Sequence, residues 1–287
     1  MKLLYIDTMQ LKYFDLIWNI IFMFNKDTIT LALQQNFIDK VSFLPRQCTS
    51  MCVVQDEIGF FVIDSRLASD TFNIVTTHKL HTEVSAESVK KHMNLFQAER
   101  RPVALWVNPQ DQKYVPDATL HDCGLIQVES ELGMAASIPD LKLTSRMQKL
   151  KIKEVQTQSD FRDYGQVMAS VFIPYDDEAC LFYNQAGLSY QPVPYHKMFI
   201  GYKDHQPVAI ISCMKSAGIG CLYDVVTCPE YQHQGIGTAM VHAAIASLKQ
   251  MGCSIVGLQA SSEGIRLYKK IGFQSLGSFK VFSHEAT

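Results

Sequence analysis

The sequence predicts an α+β fold in two domains, each a mixed, mostly antiparallel sheet flanked by helices. Three observations carry that expectation. A β-branched run, Val225, Val226 and Thr227, reads as a buried strand stopped by Pro229, and a glycine-bearing loop and an amphipathic helix over 238–250 follow it. A second strand, Ser254 to Ala260, leads into a helix that stops at Gly272. The same order of strand, short helix, glycine and strand occurs earlier over 103–138, a weak internal repeat of two units of about 140 residues.

Composition sets the outer bounds. Of 287 residues, 47% are hydrophobic and 19% charged, which suffices for a sizeable core and argues against disorder. A formal net charge of −2 gives no broad attraction to nucleic acid or to an anionic membrane, so neither is expected as a partner. Eight cysteines are dispersed along the chain. Cys48 and Cys52 are close, but no second ligand pair answers them, and His78 and His81 lack a third ligand, so no metal site is expected. Free thiols inside strand-like runs fit a reducing, cytoplasmic setting. Leu16 to Phe24 is apolar apart from Asn19, yet too short to span a bilayer, and reads as part of a helix that is buried or faces a partner.

Taken in order, residues 16–40 read as mainly helical. Val53 to Asp64 and Thr71 to Thr77 read as strands, Ala86 to Arg100 as a helix and Pro102 to Val107 as a strand. The run Leu132 to Ile138 closes the first unit. A stretch rich in Lys and Arg, Leu141 to Lys153, reads as a solvated linker entering a strand, which places a first domain at 1–140 and a second at 146–287. In the second, Asp160 to Phe172 reads as a helix, and Met198 to Gly201 and Pro207 to Met214 as strands. Gly218 to Gly220 turns into the central strand.

The loop after that strand reads Gln232-x-x-Gly235-x-Gly237. Strand, glycine loop and helix N-terminus form a device for anions, because glycine permits close backbone approach and free N–H groups point at a phosphate. A P-loop would continue into Gly-Lys followed by Ser or Thr, which is absent, and a dinucleotide fingerprint would need a small residue where Met240 stands. Downstream, Leu267-Tyr268-x-x-x-Gly272-Phe273 ends a helix for which Ser262 suits the N-cap and Glu263 the first turn. These two signatures, in this order, resemble those of the GNAT N-acetyltransferase superfamily over residues of about 150 to 287. Trp106 to Pro109 and Gly133 to Ala135 look like the first half of tandem members whose cofactor signature has been lost.

The resemblance implies acetyl-CoA as co-substrate and no metal. It implies that the backbone at Val225, Val226 and Thr227 contacts the thioester and pantetheine arm in an oxyanion-hole arrangement. Gln232, His233, Gln234, Gly235, Ile236, Gly237 and Thr238 would hold the pyrophosphate. Tyr268 matches the position that protonates the leaving sulfur, and a phenol is closer in acidity to an alkyl thiol than a carboxylic acid is. Ser261 stands where relatives present Asn to the pantetheine arm. Asp224, beside the central segment, is the candidate general base, with an acidic cluster of Asp176, Asp177 and Glu178 in a loop as a second source of negative charge. The implied reaction is N-acetylation of a primary amine on a small molecule or peptide by direct attack in a ternary complex. The alternative is a non-catalytic acyl-CoA sensor or interaction module. A homodimer is compatible with either.

Overall fold

The structure is a computed structural model that describes residues 26–143 and 150–284. The apolar run Leu16 to Phe24, with Arg146 and Lys149 of the basic stretch, lies outside the described residues. Helix α1 covers 26–43. The hairpin β1 (Cys52–Gln55) and β2 (Phe60–Asp64) follows, then β3 (Ile74–Thr77), α2 (Ala86–Gln97), β4 (Ala104–Val107), α3 (Asp117–His121) and β5 (Leu125–Ser137). The rest is β6 (Lys151–Glu154), α4 (Gln158–Ala169), α5 (Asp177–Ser189), β7 (His196–Lys203), β8 (Gln206–Ser216), β9 (Ile219–Thr227), α6 (Ile236–Gln250), β10 (Ile255–Ala260), α7 (Ile265–Ile271) and β11 (Gln274–His284).

The eleven strands of the described residues share one sheet, in the order β1-β2-β3-β4-β11-β5-β10-β9-β8-β7-β6. Only β3 with β4 and β9 with β10 run parallel, so the expected mixed, mostly antiparallel sheet flanked by helices is what the chain forms. The order also shows an exchange. β4, α3 and β5 form one strand–helix–strand unit, and β10, α7 and β11 form another. Neither unit pairs its own two strands. β11 lies between β4 and β5, with Val281 opposite Trp106 on one side and Glu129 on the other. β5 lies between β11 and β10, with Met134 opposite Leu258. Leu276, Phe279 and Phe282 of β11 are thereby buried in clusters with residues from the first half of the chain, and Val281 is buried between its strand partners Trp106 and Glu129.

Strand alternation sorts the sheet's two faces. On one face α1 crosses the middle, burying Ile29, Leu33, Phe37 and Ile38 against Phe61, Ala135, Cys221 and Phe279. α4 and α5 continue that layer over Ile200 and Ile210. On the other face α6 and α7 cover Met134, Ile211, Leu222 and Val256, and α2 covers Val62, Val75 and Leu105. Asn36 of α1 ties the layers together: its amide donates to the carbonyls of Met214 (3.3 Å), Ser216 (3.1 Å) and Ile219 (3.2 Å) and its oxygen accepts from the Tyr223 hydroxyl (2.9 Å).

Several expectations are corrected. Val53 to Asp64 is two strands, because the Asp56 carboxylate gathers the N–H groups of Ile58, Gly59 and Phe60 into a turn in which Gly59 has φ +115°. The helix expected to reach Arg100 stops at Gln97, and Arg100 is left-handed at φ 53°. Ser262 caps nothing: the Ser261 carbonyl accepts from Gly264 (3.0 Å) and Ile265 (3.2 Å), and this turn delays α7 to Ile265. The acidic cluster is not loop surface. Asp176 is the N-cap of α5, accepting from the Glu178 N–H at 3.0 Å, and Asp177 and Glu178 fill the first turn, where the helix dipole favours acids.

Candidate active site

The central strand breaks where Asp224 falls. Asp224 has φ 53°, and the β8 register slips between Ile210, opposite Val226, and Ser212, opposite Tyr223, so the chain bulges at 224–225. On the other side β9 pairs with β10 only at Gly220–Val256 and Cys221–Gly257, and beyond that the two parallel strands part. The Cys228 N–H bonds the Val208 carbonyl at 2.9 Å on the β8 side. By strand alternation the Val226 N–H also faces β8, and those of Val225 and Thr227 face the gap. A wedge-shaped opening with main-chain donors on one wall follows directly from the bulge.

The glycine loop closes one end of this opening. Residues 229–231 make a single 3-10 turn, His233 and Gly235 are left-handed (φ 60° and 80°), and α6 starts at Ile236. From His233 through Thr238 none of the backbone N–H groups donates to a main-chain carbonyl among the described residues. No acidic side chain occupies the first turn of α6. Side chains brace the loop: the Gln232 amide donates to the Thr227 carbonyl (3.2 Å), and the Lys203 ammonium to the Gln234 side-chain oxygen (2.7 Å). A Cβ built on Gly237 would meet only the Thr227 hydroxyl, at 3.5 Å, so this glycine leaves open space rather than relieving a clash. Free donors, a positive helix end and an open backbone fit a pyrophosphate.

Tyr268 of α7 sits in the cluster that also holds Ile236 of α6, with Val225 of β9 packed against it. It is buried, packs edge-to-face on Phe273 at 5.6 Å, and its phenol is pushed up to about 12 by burial and by the Glu131 carboxylate. That keeps the proton on the oxygen at neutral pH. Ser261 is exposed at the end of β10, beside the same opening.

Asp224 lies in different company. Its carboxylate accepts from the Lys40 ammonium (2.6 Å), the Ser212 hydroxyl (2.7 Å) and the Tyr164 hydroxyl (3.0 Å). Burial pushes the acid up, but the charge and hydrogen bond of Lys40, helped by the two hydroxyls, hold it below the ordinary aspartate value. An oxygen pair so occupied is a poor acceptor of another proton, so the geometry gives Asp224 the role of anchoring the bulge to α1 and α4. Against it lies a cavity of about 70 Å³ lined by Lys40, Phe72, Met168, Tyr183 and His196. His196 is held neutral there, pushed down to about 3 by burial and by the Lys40 charge.

Lys40→Met would leave that carboxylate buried with only hydroxyl partners. A loss of about 2–3 kcal/mol is expected in urea denaturation at pH 7, discounted from the fully buried case because the Lys40 side chain is 21% exposed. The folded-state value of Asp224 is depressed, so this contribution is present above the ordinary aspartate range and fades as pH falls through the folded value. A loss under about 0.5 kcal/mol would place the pair among ordinary surface ion pairs.

Among the described residues no group of three or more His, Cys, Asp or Glu side chains is placed to hold a metal ion, and no helix is long and apolar enough to cross a membrane. The sequence singled out the loop, the central strand and Tyr268, and the fold packs Tyr268 into one cluster with Ile236 of α6 and Val225 of β9. It did not single out Lys40, Tyr164, Ser212 or Glu131. The one local signal for the last was the alternation Glu129, Glu131 leading into the apolar run from Leu132.

Residues 194–275 match the family described as Acetyltransferase (GNAT) domain, which spans β7 to the start of β11 and includes the bulge, the glycine loop and Tyr268. That segment is thus similar to a GNAT acetyltransferase domain. A curated relative, the uncharacterized N-acetyltransferase ycf52 of Pyropia yezoensis, is 36% identical over 52 residues, which are 18% of this chain and 30% of that protein. The aligned part is therefore under a third of that relative's length. The fold is similar to a GCN5-related N-acetyltransferase from Kribbella flavida (TM-score 0.62, 15% identity, 90% of this chain and 95% of that one). It is also similar to a functionally unknown conserved protein from Staphylococcus epidermidis ATCC 12228 (TM-score 0.60, 14% identity, 82% and 95%). At such identities the likeness is one of fold.

Proposed function

We propose that the protein transfers an acetyl group from acetyl-CoA to a primary amine of a small molecule or peptide, by direct attack while both are bound. The observation that carries this reading is the conjunction of the parted strands β9 and β10 with a loop whose N–H groups lack main-chain acceptors. When bound, acetyl-CoA supplies an activated thioester. The N–H groups from His233 through Thr238 hold the pyrophosphate. The Val225 and Thr227 N–H groups bind the arm and the carbonyl oxygen, where they are worth most as negative charge develops. Ser261, at the far lip, is a hydroxyl contact for the arm. Tyr268 holds a proton at its phenolic oxygen for the departing sulfur, in a buried place that keeps water from competing. A cytoplasmic protein of this activity would act on whatever free amine its acceptor pocket admits.

Gly237→Asp tests the pyrophosphate site. The new side chain has room, and an acid in the first helical turn favours folding by about 0.3–1 kcal/mol. The same charge facing a pyrophosphate costs about 1–4 kcal/mol, so acetyl-CoA should bind about tenfold more weakly or worse. Stability kept or raised together with lost affinity, by thermal melting and calorimetry, is the expected pair of results. Unchanged affinity in the folded variant would make the loop a simple turn. The engagement of Asp224 by three donors favours one second reading, an acyl-CoA sensor without a base on β9. Binding without release of free coenzyme A in the presence of amines would select it.

A further inference from the structure

We propose that Glu131, carried on β5 from the first half of the chain, is the general base that takes the acceptor's proton. This deepens the acetyltransferase reading above and rests on it.

Strand register places the residue. β10 ends at Ala260, which is opposite Leu132, so Glu131 is the first residue of β5 beyond the end of β10. Counting on from the last β9–β10 pair, Cys221–Gly257, brings Asp224 level with Ala260 and Val225 level with Ser261. Glu131 therefore stands across the opening from the bulge, at the height of the N–H groups that face the gap. Among the described residues no strand lies against the β5 edge on that side from Leu125 to Glu131, while Phe279 of β11 pairs with Glu131 on the other.

Alternation places the side chain. Met134 and Ala136 face α6, whereas Ala135 faces α1 and a Cβ on Gly133 would meet Leu33 of α1. Glu131 shares the latter parity and so lies on the α1 face, toward Lys40. Lys40 is already bound to Asp224. The charged groups that act on Glu131 are Glu129 on its own strand and Lys40 on α1, and Glu131 in turn acts on the neutral Tyr268 phenol of α7. Burial and the Glu129 charge raise its acid to about 7 against the pull of Lys40. A half-buried carboxyl in that range gives up and takes protons near neutrality, which the depressed Asp224 does not.

The proton balance closes with the two named groups. Glu131 accepts a proton from the acceptor ammonium and later releases it to solvent. The freed nitrogen pair forms the new N–C bond as the C–S bond breaks, and the sulfur takes the Tyr268 proton. The second amine proton, acidic once the N–C bond exists, restores the phenol.

The test uses the whole protein with acetyl-CoA as probe. Calorimetry comes first: no binding by the wild type overturns the acetyltransferase reading itself. With binding established, carboxyl NMR of protein labelled with 13C-glutamate should show one signal that titrates near pH 7, is absent in Glu131→Gln, and shifts when acetyl-CoA is added. A Glu131 signal in the ordinary glutamate range, or one unmoved by bound acetyl-CoA, overturns the proposal. In coenzyme A release assays with spermidine, glucosamine and lysine, the rate should rise through about pH 7 as the carboxylate forms. Glu131→Gln should lower kcat/KM about 10²-fold and remove that acidic limb, with acetyl-CoA affinity and thermal melting kept. Glu131→Asp should recover part of the rate. An unchanged rate and profile in Glu131→Gln also overturns the assignment.

Discussion

Residues 150–284, expressed without the first half, are expected to form neither a cooperative fold nor an acetyl-CoA site, although every residue of the glycine loop is present. β10 would keep only its two-pair contact with β9, because its long antiparallel partner is β5. β11 would lose both neighbours, β4 and β5. Leu276, Phe279, Val281 and Phe282, all buried, would face water. Such side chains are worth about 1.5–3 kcal/mol each, against a net stability of about 5–15 kcal/mol for a whole domain. The measurements are a circular dichroism melt and calorimetry. Co-expression with 26–143 should restore both signals, since the exchanged strands can pair between separate chains as they do within one. A monomeric 150–284 fragment with a sharp melt and bound acetyl-CoA would show that the exchange is dispensable.

Tyr268→Phe removes one oxygen and almost no volume. If the phenol gives its proton to the leaving sulfur, steady-state transfer should slow about 10²-fold or more, with acetyl-CoA affinity barely altered. Burial and Glu131 raise this phenol to about 12, so the wild-type rate should hold its alkaline side until well above neutral pH. Little stability should be lost, because the ring keeps its edge contact with Phe273. A rate unchanged where chemistry limits turnover would remove the hydroxyl from the mechanism. Weaker binding with an unchanged rate constant would make it a ground-state ligand of the sulfur.

What the sequence disclosed is what short-range spacing encodes. Glycines 235 and 237 follow a β-branched run directly, and Tyr268 is tied to the Gly272-Phe273 stop within one helix, so both were legible without a partner in view. The α+β class was legible for the same reason, through alternation and helical spacing along each element. Asp224 was legible as a charge beside the central strand, but its partners Lys40, Tyr164 and Ser212 are brought to it by three other elements, and no local pattern announces a salt bridge across 184 positions. Glu131 was hidden more deeply. Its place at the opening depends on β5 pairing with β10 rather than with the neighbours that sequence order suggests, a choice made by the sheet as a whole. Ser262 misled because a good capping residue met a stronger local competitor, the carbonyl of Ser261.

The position of β11 also bears on how the chain is made. A ribosome delivers β4 and β5 well before 274–284 emerge, and in the finished sheet those two strands touch only through that late segment. Until then each presents an open edge, and β5 keeps Ile126 and Val128 exposed even in the finished protein. Completion waits on contacts of very long sequence separation, a pattern that slows folding and prolongs the exposure of sticky edges. During synthesis the early half thus holds its strand edges open, and the wall that β5 contributes is finished only when the last strand slides in.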